Sequence, residues 1–124
     1  MRFKNSINWF EIPVNNLTRA IEFYESVFDI TLTREKMDNV ELAIFPSDKD
    51  GITGALIKAD FLQPSEQGSL VYLNAEGVMD EVMARAEAQS SSVFFPKTCI
   101  GECGYVAHIG DSEGNKIALH SMSE

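Results

Sequence analysis

The feature that most constrains this chain is that it repeats itself. Sliding the sequence on itself by 61 positions sets Phe10 on Val71, Ile12 on Leu73, Leu17 on Val78 and Ile21 on Val82. A slide of 63 sets Asp48 on Asp111, Gly51 on Gly114, Ala55 on Ala118 and Leu56 on Leu119. Apolar alternation matches itself easily, whereas an Asp, a turn Gly and an Ala-Leu pair recurring in order do not; the reading is internal duplication. The two shifts differ by a two-residue insertion of the kind that loops absorb. With 124 residues, 44% of them hydrophobic, the chain suffices for one core and is too short for two ordinary domains. It therefore reads as a single domain, 1–124, made of a first module over 1–62 and a second over 66–124.

Each module shows the same element order. Ile7–Val14 alternates, with Phe10, Ile12 and Val14 on one face and Trp9 and Glu11 on the other, which predicts a half-buried strand. Asn15 and Asn16 offer an N-cap, and Leu17, Ala20, Ile21, Tyr24 and Phe28 recur at helical spacing up to Asp29. Strands follow over Ile30–Glu35, Asn39–Phe45 and Thr53–Ala59, separated by turn formers at Asp38-Asn39 and Asp50-Gly51. The second module predicts a strand over Ser69–Asn74, with Leu70 and Tyr72 opposite Val71 and Leu73. A helix striped by Val78, Met79, Val82, Met83 and Ala86 comes next. Its strands fall at Val93–Phe95, Tyr105–Ile109 and Lys116–Ser121, the last two joined by the turn Asp111-Ser112-Glu113-Gly114-Asn115. The expected fold class is α+β: two tandem β-α-β-β-β modules forming a curved mixed sheet around a cleft.

Charge narrows the partners. Ten basic residues against 19 acidic ones give a formal charge of −9, a surface that repels phosphate backbones and anionic headgroups. Nucleic acid and membrane surfaces are excluded as expected partners; the charge serves solubility, and favours neutral or cationic ligands. The stretch from Met1 to Trp9 lacks the apolar run of a signal peptide, and no run reaches membrane-spanning length, so a cytoplasmic location is expected. Cys99 and Cys103 have no accompanying cysteines or closely spaced histidines, and read as reduced thiols in a loop.

The stretch Ile7-Asn8-Trp9-Phe10-Glu11-Ile12-Pro13-Val14-Asn15-Asn16-Leu17, followed by Ala20-Ile21-Glu22-Phe23-Tyr24, resembles the opening strand and helix of the vicinal oxygen chelate superfamily. That superfamily holds glyoxalases, bleomycin-resistance proteins and extradiol dioxygenases. Asp111-Ser112-Glu113-Gly114-Asn115 resembles its closing turn, and the resemblance spans essentially the whole chain. It implies a homodimer, which an exposed sheet edge would also favour. It implies too that metal ligands, where members have them, come from the first and last strands of both modules, at Trp9, Ala55, Leu70 and Ala118 here. Indole, methyl and isobutyl groups cannot ligate a divalent cation, so neither metal nor cofactor is expected. Glu11 and His120, two residues further along the same faces, would supply two ligands of a shifted site rather than three or four. His108 reads as a structural strand residue.

If the alternation holds, one face collects Trp9, Glu11, Ala55, Ile57, Leu70, Tyr72, Ala118 and His120, with Phe45 on its rim. That composition suits a small organic ligand with a flat part, stacked on Trp and Tyr and oriented by a carboxylate. The bland alternative is that Trp9 fills the vacated metal position and closes an inert core. Two functions are expected: a metal-free small-molecule-binding protein, or a lyase-, isomerase- or dioxygenase-like enzyme acting on a small oxygenated compound. In the second, Glu11 or His120 is the base and Tyr72 a donor to developing charge. The 60–68 segment, with Pro64 and Gly68, reads as a loop.

Overall fold

Asn16 begins the first helix as the N-cap expected: its side-chain oxygen accepts the Arg19 N–H at 3.0 Å. This helix, α1 (Leu17–Phe28), buries Leu17, Ala20, Phe23, Tyr24 and Val27 and ends where Asp29 takes the left-handed conformation. The computed structural model describes residues 2–124; Met1, with which the sequence reading opens its first module, lies outside the described residues. Around α1 stand β1 (Trp9–Pro13), β2 (Thr33–Met37), β3 (Val40–Ile44) and β4 (Thr53–Lys58). The second half holds β5 (Tyr72–Asn74), α2 (Met79–Ala88), β6 (Val93–Cys99), β7 (Tyr105–Gly110) and β8 (Lys116–Ser121), with a short 3-10 turn at Gly101–Cys103.

The strands form two four-stranded mixed sheets in the orders β1-β4-β3-β2 and β5-β8-β7-β6. In each, the first strand runs parallel to the last and the remaining pairs are antiparallel. β4 and β8 are offset by the 63 positions read from the sequence. The sheets curve without closing. The fold is α+β as expected.

Several boundaries move, each for a local reason. Ile7 is 54% exposed and precedes β1. Ile30 and Leu32 pack into the core from a loop, because the Ile30 N–H bonds the Glu25 carbonyl and the Leu32 N–H bonds the Glu25 carboxylate; β2 therefore starts at Thr33. β5 starts at Tyr72 rather than Ser69, although the Val71 carbonyl already accepts from Ala118. β6 runs past Phe95 to Cys99, since it is an edge strand with register shifts on either side of Phe95, and such irregular edges tolerate Pro96. Val78 is not in the buried stripe of α2: it is the N-cap residue and lies 41% exposed, leaving Met79, Val82 and Ala86 to face the core.

One core cluster unites the halves. It takes Ile12 and Val14 from β1 and the segment after it, the buried stripes of both helices, and Leu73, Ile109, Ile117 and Leu119 from the second sheet. Phe45 belongs to this cluster, 9% exposed between Phe10 and Tyr24 with ring centroids 5.4 and 5.7 Å away. That overturns its expected place on the cleft rim: Phe45 follows β3, and there its ring turns to the helix side. Polar ties reinforce the union. Tyr24 Oη donates to Asp111 at 2.6 Å, Asn115 Nδ2 to the Pro13 carbonyl at 2.7 Å and Arg85 Nε to the Val27 carbonyl at 2.8 Å.

Candidate functional site

The sheet faces turned away from the helices carry the residues singled out in the sequence. Glu11 lies opposite Ala55 and Pro13 opposite Ile57, with Ala55, Ile57, Leu42 and Ala59 forming a small second apolar cluster. At its open side Trp9, 41% exposed, donates its indole N–H to Glu11 Oε2 at 3.2 Å. The carboxylate thus has a partner at the surface, as a polar group beside apolar surface requires.

In the second sheet Ala118 lies between Tyr72 on β5 and His108 on β7. Its methyl group leaves room above it, and across that gap the Tyr72 hydroxyl bonds His108 Nε2 at 3.2 Å, the rings meeting edge to face at 5.8 Å. Phe95 covers the imidazole from β6 with centroids 5.1 Å apart. Desolvation first, and the nearby Lys116 ammonium second, hold the His108 imidazole below the ordinary value, favouring its neutral form. Lys116 itself lies over the Phe94 ring at 5.0 Å. His120 is turned to its own strand end: its Nε2 is 2.6 Å from the Cys103 carbonyl, which can only accept, so that nitrogen bears a proton.

The eight residues therefore divide. Trp9, Glu11, Ala55 and Ile57 stand together on the first sheet, Tyr72, Ala118 and His120 on the second, while Leu70 lies just before β5 at the seam. His108, expected as a structural strand residue, pairs with Ala118 across the β7–β8 hairpin and so stands on the same open face. Among the described residues no three His, Cys, Asp or Glu side chains group closely enough to hold a metal ion. The side chains at Trp9, Ala55, Leu70 and Ala118 do not fit such a group either, having no donor atom for it.

Two cavities lie where the halves meet, both lined jointly by β1 and the Ser69–Val71 approach to β5. One, about 500 Å³, is predominantly apolar. The other, about 210 Å³, is bordered by Glu11, Lys116 and the 60–68 loop, which is anchored through the Ser65 N–H to Asn115 Oδ1 at 2.9 Å.

Against known proteins, the fold has close counterparts of low identity. A glyoxylase/bleomycin resistance protein/dioxygenase domain from Frankia sp. EAN1pec superposes with a TM-score of 0.74 at 13% identity, covering 94% of this chain and 97% of that one. The trypanothione-dependent glyoxalase I of Leishmania major gives 0.71 at 17% identity, covering 96% and 88%. The lactoylglutathione lyase of Agrobacterium tumefaciens gives 0.64 at 18%, covering 96% of each. A search of curated proteins gave no match. The family profile described as the Glyoxalase/Bleomycin resistance protein/Dioxygenase superfamily matches residues 6–119, and the chain belongs to that superfamily.

Proposed function

We propose that this protein is a metal-free binder of a small organic molecule, working as a cytoplasmic homodimer. The observation that carries this reading is the make-up of the open faces. Where metal-dependent relatives would hold ligands this chain has Trp9, Ala55, Leu70 and Ala118, and the same faces carry Trp9–Glu11, Tyr72–His108 and Phe95. Aromatic rings with polar tips suit a flat ligand, and Lys116 beside the His108–Tyr72 pair favours one bearing oxygen acceptors. Of the neutral or cationic ligands that net charge alone favoured, this keeps the neutral ones and sets the cationic ones aside. Support for the dimer comes from large apolar side chains left in water on or beside those faces, among them Met37, Tyr72, Val93, Phe94 and Phe95.

One geometry favours an enzyme as the second reading. A neutral His108 hydrogen-bonded to a tyrosine is equipped to accept a proton while Tyr72 donates to developing negative charge on a small oxygenated substrate.

Trp9 is the chain's single tryptophan, so its emission reports on the first open face. Chelator-treated protein is titrated with neutral and anionic aromatic oxygen compounds, with and without added divalent metal. Saturable binding that is indifferent to metal and weakened by Tyr72→Phe supports the binding reading; binding that appears only with stoichiometric metal refutes it. Turnover that disappears in His108→Ala and rises with pH through a group titrating below about 6.5 would promote the enzyme reading.

A further inference from the structure

Charge is spread over this chain as 10 basic and 19 acidic residues among 124, yet the sixteen residues lining the 500 Å³ cavity between the halves include no charged one. Phe10, Phe28 and Phe45 supply aromatic rings to the lining, and Leu73, Val78 and Val82 supply aliphatic side chains. The Phe10 and Phe45 rings lie 5.4 Å apart and tilted at 48°, which offers a planar guest both a face and an edge. The volume falls within the range of small-molecule sites.

The polar side chains in the lining are Thr53, Ser69, Tyr72 and Asn74. Thr53 Oγ1 donates to the Phe45 carbonyl at 3.0 Å, keeping its own oxygen as an acceptor. Asn74 Oδ1 accepts from the Glu76 N–H at 2.9 Å, and its NH2 group donates to nothing among the described residues. β1 and β5 are edge strands of different sheets, and in a parallel ladder alternate residues of an edge strand turn both N–H and C=O outward. The Val71 carbonyl and the Ala75 N–H are bonded to β8, so Leu70, Tyr72 and Asn74 are the residues whose main-chain groups turn toward the seam.

We propose that this cavity, at the seam between the halves and bordering the open face at Leu70 and Tyr72, is a second ligand site for an uncharged and mostly apolar molecule with a planar ring and one hydrogen-bond acceptor. A charged guest would leave water without meeting a counter-charge in the lining, and that cost selects against it. The acceptor would meet the Asn74 NH2 or the outward main-chain N–H groups of the β5 edge.

The full-length protein titrated with neutral N-phenyl-1-naphthylamine is expected to show saturable enhancement of the dye's fluorescence at one site per chain. Val78→Trp and Ile52→Trp, at lining positions 41% and 40% exposed, fill the cavity from its mouth and should each weaken binding by roughly tenfold or more. Two variants are used so that a melting-temperature loss in one leaves the other decisive. Trp9→Ala, on the open face and outside this lining, should bind the dye within about twofold of the parent, and an anionic anilinonaphthalene sulfonate should bind roughly tenfold more weakly. Absence of saturable binding, unchanged affinity in both cavity-filling variants, or loss of binding in Trp9→Ala overturns the proposal.

Discussion

Glu113 shows how one turn residue can hold two halves of a chain together. Its carboxylate, with no side-chain surface left in water, accepts the Asn15 and Asn16 N–H groups at 2.9 and 2.8 Å, the Arg19 guanidinium at 2.7 Å and the Ser112 hydroxyl at 3.0 Å. Burial alone would raise its pKa; the Arg19, Asn16, Ser112 and Asn15 donors outweigh it and hold the carboxyl below the ordinary value. Glu113→Gln keeps the shape but turns an NH2 toward donors, and should cost about 2 kcal/mol in chemical denaturation at neutral pH. A carboxyl depressed in the folded state stabilises above its unfolded value near 4.5 and ceases to do so as pH falls through the folded value. The melting temperatures of variant and parent should therefore converge on acidification. Tyr24 is the companion tie. Desolvation, with the Asp111 charge behind it, pushes its phenol well up, so it remains a donor to Asp111 at 2.6 Å. Tyr24→Phe should lose about 1 to 2 kcal/mol, less than a fully orphaned carboxylate would, because Asp111 keeps the Glu113 and Asn115 N–H bonds.

Among the elements, β4 is tightly constrained at Gly54. A Cβ on Gly54 would overlap the Phe10 carbonyl oxygen and ring, so β1 and β4 approach closely only because position 54 has no side chain. Gly54→Ala should destabilise by about 1 to 3 kcal/mol or more, since main chain rather than a flexible tip must move; an urea midpoint shift at constant slope checks it. Element order along the chain and strand face were legible from pattern: Trp9 and Glu11 do lie opposite Ile12 and Val14, and β8 spans Lys116–Ser121 as read. Boundaries resisted where tertiary bonds override local pattern. Ile30 and Leu32 look like strand residues because they are apolar, yet the Glu25 side chain and carbonyl hold them in a loop. β6 was expected over Val93–Phe95, but a bulged edge continues through Pro96 to Cys99, because the missing N–H is not needed on an unpaired side. His108 looked like any strand residue because its hydrogen-bond partner, Tyr72, lies 36 residues away.

At the scale of the molecule, a single core joins both helices, and the open faces are left with apolar surface. A second copy covering that surface should make the 13.8 kDa chain sediment at twice its mass, and Phe94→Glu on β6, 40% exposed, should shift it toward monomer without lowering cooperativity. A monomer at all accessible concentrations would refute the dimer and leave the aromatic faces as surface for other partners. What this sequence determined by itself was whatever depends on near neighbours or on its own repetition: the α+β class, the two β-α-β-β-β halves, the turn at 111–115, and the lack of metal-ligating atoms at Trp9, Ala55, Leu70 and Ala118. What only the tertiary structure decided was how the halves meet. The Glu113 and Tyr24 ties, the Tyr72–His108 pair across Ala118, the inward turn of Phe45 and the uncharged cavity all depend on contacts between segments far apart in the chain. Periodicity assigns a side chain to a face, but the neighbour it meets there is set by sheet register and by the packing of one half on the other.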